Sequence, residues 1–370
     1  MKRNRMKLMS GLLAAAMLAT MAACGTPASS SSAPAADAGT TPPAASEAPK
    51  ADYSKTKLVI YSNSASDGRG EWLTEQAKAA GFNIEAISIP GGDLYNRVIA
   101  EKNNQIADIV FGLDPMEYER FKKEDLLLKH TPVWASEVDM TLGDPEGYYH
   151  PIVVQPLLLA YNKEVIKNAP KDWIDLATNE EYKGKYTIVG TWGGTSRKII
   201  ASMLLQYRDD NGLYGISDEG WNVMKSYLAN GTMEVKGEDF YTAAINGTMP
   251  ITAMWGSGFI QKNQAANTTV MDFVTPEIGV PYVTEQVVIF KNSKNIEAAK
   301  AFVDWFGSAE LQGAWAQQFG SAPAHPEALK MAPAPVQDMM NRVKPQAMDW
   351  AFVGENLEKW MEKIELEYVK

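Results

Sequence analysis

The stretch "TWGGTSRK" (Thr191 to Lys198) gathers residue types that hold an anion. Gly193 and Gly194 allow a tight turn. A helix opening behind them would aim several backbone N–H groups at one point, and its dipole would add partial positive charge. Thr195 and Ser196 add hydroxyls, and Arg197 adds a planar fork suited to phosphate or carboxylate. "WGSG" (Trp255 to Gly258) repeats the pattern, with Ser257 as a ligand donor or a helix cap. Trp192 and Trp255 each end an expected strand beside glycine, where an indole can stack on a ligand or wall off water. Near the start of the folded body, "SNSASDGR" offers Ser62, Asn63, Ser64 and Arg69 as donors, and "GLD" offers Asp114 as an acceptor. Tyr282, Thr284 and Glu285 lie on an extended run. Plainer readings stay open for all of these: turn glycines with an N-cap at 193–196, a solvent-facing Arg197, core packing for the tryptophans and an outward polar edge at 282–285.

Other chemistries find little support. The phosphate-loop pattern with its lysine is missing, so nucleotide binding is not indicated. His130, His150 and His325 fall in unrelated contexts with no metal-ligand spacing, and no Gly-x-Ser-x-Gly elbow occurs. Carboxylates are plentiful, but nothing selects a catalytic pair. An extracellular hydrolase or transferase is therefore the weaker class. No cofactor is expected, and any metal would be cargo.

The 370 residues contain one cysteine, Cys24, so no disulfide forms within the chain. Lys2, Arg3, Arg5 and Lys7 precede the apolar stretch "LMSGLLAAAMLATMAA", the layout of a signal peptide over residues 1–23. That stretch is too short and too interrupted for a membrane span of ~20 residues. From Gly25 to about Ala51 the sequence is Ala, Ser, Pro, Thr and Gly, which cannot bury enough surface to offset ordering. It reads as a tether. Removing residues 1–23 takes four of the 35 basic residues and none of the 45 acidic ones. So acidic a body is not expected to bind nucleic acid.

The elements that must position the candidate residues follow from periodicity. "KLVIY" is a strand entering a polar loop; "EWLTEQAKAAG" is a helix stopped by Gly81; "FNIEAISI" is a strand. "GGDLYNRVIAEKNN" is a helix with Asp93 as its expected N-cap, and "ADIVFGLD" is a strand running into a loop. This alternation implies βαβ units and an α/β fold. "PIVVQPLLLAYNKEVI" and "VMDFVTPEIGVPYVTEQVVIF" are long and extended, and the chain closes in amphipathic helices.

"MAAC" followed by Gly25 resembles a bacterial lipobox, which implies that Cys24 is acylated as a membrane anchor. "GGDLYNRVIAEKNNQIADIVFGLD", "LAYNKEVI", "TPEIGVPYVTEQVVIFKNSKNIEAAKAFVDWFGSAELQ" and "FGSAPAHPEA" resemble, in that order, the solute-binding lipoproteins of bacterial ABC importers. The likeness is to the ferric-iron, thiamine and phosphonate branch. It implies a two-lobed, type II periplasmic-binding-protein-like fold, with a mainly parallel, helix-flanked sheet in each lobe. Residues 24–51 would be the lipidated cysteine and tether. Lobe one would take 52–151 plus 287–370, and lobe two 152–286. Crossings near 152–159 and 282–286 would form the hinge. The fifteen polar, glycine and tryptophan positions named above, Thr284 aside, would line the interlobe cleft. The expected solute is a small anion of phosphonate or organophosphate type, passed to a membrane permease by a monomeric receptor at the extracytoplasmic face. Ferric iron, thiamine or a sensory role are the alternatives. Ferric receptors of this family use a tyrosine pair in later loops of the second lobe; here "MWGSGFIQKNQ" has none, and Tyr148–Tyr149 falls before the first crossing.

Overall fold

The computed structural model describes residues 52–66, 68–188, 194–235 and 238–369. Cys24, the tether, Trp192 and Gly193 lie outside them. The expected alternation holds at the start of the body: β1 (Tyr53–Ser62), α1 (Arg69–Ala79), β2 (Phe82–Ser88), α2 (Gly91–Ala100), β3 (Ile109–Gly112) and α3 (Pro115–Lys123). β1 runs parallel to both neighbours, with Ile60 opposite Ala86 in β2 and Ile109 in β3. All of β3 is buried, as in a strand covered on both faces. Asp93 is not the cap of α2. That helix opens one residue after Pro90, which leaves Asp93 in its first turn, where its charge still favours the dipole.

The chain then crosses through β4 (His150–Asn162). It continues as α4 (Trp173–Thr178), β5 (Tyr186–Ile188), α5 (Gly194–Leu205), β6 (Arg208–Leu213), α6 (Asp218–Asn230), β7 (Thr232–Met233), α7 (Phe240–Ile245), β8 (Ile251–Trp255), α8 (Gly256–Ala265) and β9 (Met271–Phe273). It returns through β10 (Tyr282–Ile289). The last elements are α9 (Ile296–Phe306), α10 (Ala309–Phe319), β11 (Ala322–Pro323), α11 (Pro326–Met331), α12 (Ala334–Arg342) and α13 (Trp350–Glu367).

One sheet runs β2-β1-β3-β10-β4-β8-β5-β7, with β9 and β11 also paired to β4. β4 changes partner midway. Residues up to Pro156 lie antiparallel to β10, and those from Leu157 lie antiparallel to β8. Pro156 has no N–H to continue a ladder, and it stands where the partner changes. The outer pairs β1–β2, β1–β3, β5–β7 and β5–β8 are parallel, whereas every pair made by β4 or β10 is antiparallel. The sheet is thus mixed at its centre, because the two crossing strands carry the chain in opposite directions between the halves.

The half built on β1–β3 has apolar cores on both faces, one around Phe111, Phe302 and Trp315 and one around Tyr61, Tyr118 and Phe290. The other half is centred on Trp173, Tyr186 and Ile200. The C-terminal helix departs from the expected division, which put all of 287–370 in lobe one. Val353, Leu357, Trp360, Met361 and Ile364 of α13 are buried in that second core. Trp360 Nε1 also donates to the Tyr214 carbonyl at 3.0 Å. The stripe of large side chains on α13 is covered by the second half, so the helix returns to it after the chain has left.

Candidate functional site

Asp114 follows a turn in which Gly112 has φ +102° and Leu113 φ +21°. Asn63 at the end of β1 holds this turn by accepting the Leu113 N–H through Oδ1 at 2.7 Å. A Cβ on Gly112 would lie 2.0 Å from that same oxygen, so only glycine fits. The turn delivers Asp114 to the start of α3. There its Oδ1 accepts the Met116 N–H at 3.0 Å, while Glu117 Oε2 accepts the Asp114 N–H at 3.3 Å, closing a capping box.

Asp114 opens onto a cavity of about 410 Å³ at the C-terminal ends of β1, β3 and β8. Asn63, Ser64 and Arg69 line one side. Gly194, Thr195 and Lys198 of α5 face them, with Trp255 and Ser257 of the β8–α8 junction. Gln155 of β4 and Glu285 of β10 enter from the crossing strands, and Trp315 from α10. Gln155 Oε1 accepts the Ser257 N–H at 3.3 Å, which ties β4 to the start of α8. Arg69 lies over the Phe319 ring, 5.0 Å from its centroid. A Cβ on Gly258 would meet the Trp255 indole at 2.6 Å, so glycine there leaves room for the ring over the first turn of α8.

Lys198 Nζ pairs with Asp114 Oδ2 across the cavity, and both side chains are about nine-tenths buried or more. Burial opposes the Asp114 carboxylate, but the Lys198 ammonium, Glu117 and the Met116 N–H outweigh it and lower its pKa. Burial also works against the Lys198 charge, yet Asp114 and Glu117 raise its pKa on balance. Glu117 is pushed up to about 8 by burial and by the Asp114 charge, so it holds a proton at neutral pH. Burial raises Glu285 as well, against hydrogen bonds from Ser64 and Gln155 and the charge of Arg69.

Nine of the expected residues therefore come together here: Asn63, Ser64, Arg69, Asp114, Gly194, Thr195, Trp255, Ser257 and Glu285. Four do not. Ser62 is fully buried, and its Oγ accepts the Ser64 N–H at 2.8 Å. Ser196 is buried and does not line the cavity. Arg197 turns to α13 and pairs with Glu358. Tyr282 packs with Val154, Leu158 and Met339, its hydroxyl donating to the Val343 carbonyl at 3.4 Å. Trp192 and Gly193 fall outside the described residues.

Lys198 and Gln155 were missed. Lys198 lies three residues after Thr195, hence on the same helix face, and Gln155 is a polar residue in an otherwise apolar run. Among the described residues lining the cavity there is no tyrosine or histidine. Tyr149 is elsewhere, donating to Glu119 Oε1 at 2.7 Å, and Tyr148 lies under Lys122. A larger groove of about 480 Å³ between α8 and α12 lies away from these strand ends. Its arginine, Arg342, is paired with Asp272 at 2.7 Å and stacked on Phe273.

The cavity lies between two half-sheets joined by crossing strands, and comparison with known proteins decides the family. The sequence pattern of the bacterial extracellular solute-binding proteins matches residues 104–356. The chain belongs to that family. An ABC transporter periplasmic-binding protein of Sinorhizobium fredii, y4fP, is 36% identical over 84% of this chain and 86% of its own. A Salmonella typhimurium protein named for 2-aminoethylphosphonate binding is 26% identical over 52% of this chain and 56% of its own. Among solved structures, iron-bound HitA of Pseudomonas aeruginosa superimposes with a TM-score of 0.70 at 18% identity, over 84% of this chain and 99% of its own. The apo ferric ion-binding protein A of Pasteurella haemolytica gives 0.70 at 18%, over 84% and 97%. These likenesses establish the type II periplasmic-binding-protein fold. This solute-binding protein is thus the non-enzymatic, extracytoplasmic capture component of an ABC importer, with a solute and a permease as its partners.

Proposed function

We propose that the cavity between the half-sheets is the solute seat and that the solute is a compact phosphonate or phosphomonoester. The observation that carries this is the convergence of four helix starts on one cavity. The first turns of α1, α3, α5 and α8 contribute Arg69, Asp114, Thr195 and Ser257 to its wall. Helix starts turn partial positive charge toward an anion, and the Thr195 and Ser257 hydroxyls, Arg69 and Lys198 supply the donors, since the Met116 and Ser257 N–H groups are taken by Asp114 and Gln155. The name of the Salmonella relatives supports the phosphonate class. The fold of the ferric receptors carries no weight for iron here, since no phenolate lines the described part of the cavity and Tyr149 is hydrogen-bonded elsewhere.

On this reading the halves swing about β4 near Pro156 and about β10 near Tyr282, closing when contacts to the solute from both sides outweigh the freedom of the open state. Acylation of Cys24 would hold the protein at the membrane beside its permease.

Calorimetry with ethylphosphonate, 2-aminoethylphosphonate, glycerol phosphate, thiamine and ferric citrate tests the assignment. Binding of at least one phosphorus-containing anion is expected, weakened roughly tenfold or more by Thr195→Ala, which removes a hydroxyl from the seat. Tight ferric or thiamine binding with none of the phosphorus compounds overturns it.

A further inference from the structure

The charge balance of the cavity restricts the solute beyond its being an anion. Arg69 and Lys198 line it together with Asp114 and Glu285. Of the carboxyls near its floor, Glu117 is protonated at neutral pH and Glu285 is shifted the same way, whereas Asp114 stays ionised. Among the described residues Asp114 is ion-paired with Lys198, which reaches it from the facing helix. Its other oxygen is committed to the Met116 N–H.

An anion entering this cavity has two ways to meet Lys198. It can draw the ammonium away, which strands a carboxylate that is only 4% exposed. Alternatively it can share the ammonium, which sets its own negative charge beside that carboxylate. Both carry the penalty of a buried charge without full compensation. A solute that brings its own positive group escapes the penalty, because that group takes the place Lys198 leaves.

We propose that Lys198 is a built-in stand-in for a cationic group of the solute, and that the Asp114–Lys198 pair makes the site select short zwitterions carrying both a phosphorus oxyanion and an amine. The inference rests on the anion reading of this cavity. On binding, the solute's ammonium takes Asp114 and the freed Lys198 turns to the oxyanion beside Thr195, one helical turn away on the same face. Trp255, 38% exposed at the cavity's edge, stands where an indole face can cover the alkylammonium. Lys198 thus exchanges one partner for another with no net change in buried charge.

The test compares three probes of matched size on the intact wild-type protein by calorimetry: 2-aminoethylphosphonate, ethylphosphonate and ethylamine. The zwitterion is expected to bind roughly 10- to 100-fold more tightly than ethylphosphonate, with ethylamine weakest. Asp114→Asn keeps a capping oxygen but not the charge, and it is expected to narrow that ratio to a few-fold by weakening the zwitterion. Lys198→Met removes the ammonium and leaves the Asp114 carboxyl without its partner, and is expected to lose ethylphosphonate and gain ethylamine, whose cation can take that place. Ethylphosphonate binding as tightly as the zwitterion in wild type overturns this inference and leaves the anion reading standing. Failure of both phosphonates to bind overturns this inference, and failure of glycerol phosphate as well overturns the anion reading with it. The wild-type comparison decides even if a variant does not fold.

Discussion

Arg197 and Lys198 are consecutive residues of α5 that serve opposite sides of it. Lys198 pairs with Asp114 inside the cavity, and Arg197 pairs with Glu358 on α13. Arg197 has the better chemistry for a phosphate, and Lys198 has the position. A step of about 100° between neighbours on a helix decides which of them faces the cavity.

Arg197→Ala is accordingly expected to leave solute affinity within about twofold while lowering stability by up to about 1 kcal/mol, since Glu358 is largely exposed and such pairs contribute little. Lys198→Met is expected to change affinity strongly. Calorimetry and urea denaturation of the two variants side by side separate these roles.

The Asp114–Lys198 pair also bears on stability. Removing one partner leaves the other buried and uncompensated, so Asp114→Asn and Lys198→Met are each expected to cost about 3 kcal/mol or more. The double variant should cost clearly less than the sum of the two. Additive losses in a double-mutant cycle would mean that the two groups do not interact in solution.

Two buried groups make stability depend on pH in opposite senses. Burial, together with the neighbouring His130, pushes His150 down to about 4. The unfolded chain therefore binds the extra proton first, and the His150 contribution falls as pH drops below about 6.5. Glu117 is shifted the other way, up to about 8, so the folded protein holds a proton that the unfolded chain has released. Its contribution is fully present below about 4.5 and is lost as pH rises through about 8. Urea midpoints are expected to be nearly level from about pH 4.5 to 6.5 and to fall from about 6.5 to 8, whereas Glu117→Gln should flatten the fall above 6.5 and expose the acid-side loss due to His150.

Gly112→Ala probes the turn that delivers Asp114. Its φ of +102° and the Asn63 oxygen both exclude a side chain, so a loss of about 1–3 kcal/mol is expected together with weaker solute binding. Pairing it with Asn63→Ala relieves the contact and not the backbone, so stability should recover only in part. Full recovery in the double variant would show that the backbone conformation carries no cost.

Much of the scaffold was legible because it depends on local pattern. The β1–α1–β2–α2–β3 alternation, the apolar β4 and the extended β10 follow from short-range periodicity and from glycines at stops and turns, Gly81 among them. Strand ends then pointed to nine of the cavity residues. The errors share one cause. Arg197, Tyr282, Ser62 and Ser196 are close to the right elements and do not line the cavity, because α13 claims Arg197, α12 packs on Tyr282 and the two serines are buried. The place of α13 was equally hidden. Its apolar stripe says that it packs, while the chain's earlier departure from the second half gives no hint that it packs there.

The order of strands, helices and glycine turns, and hence the family, is written in neighbouring residues, whose spacing sets local geometry without reference to the rest of the chain. Which side chains share the cavity was decided by tertiary structure alone. The Asp114–Lys198 pair joins residues 84 positions apart, and each becomes a partner only when the two half-sheets bring their strand ends face to face and exclude the water that would otherwise screen the charges.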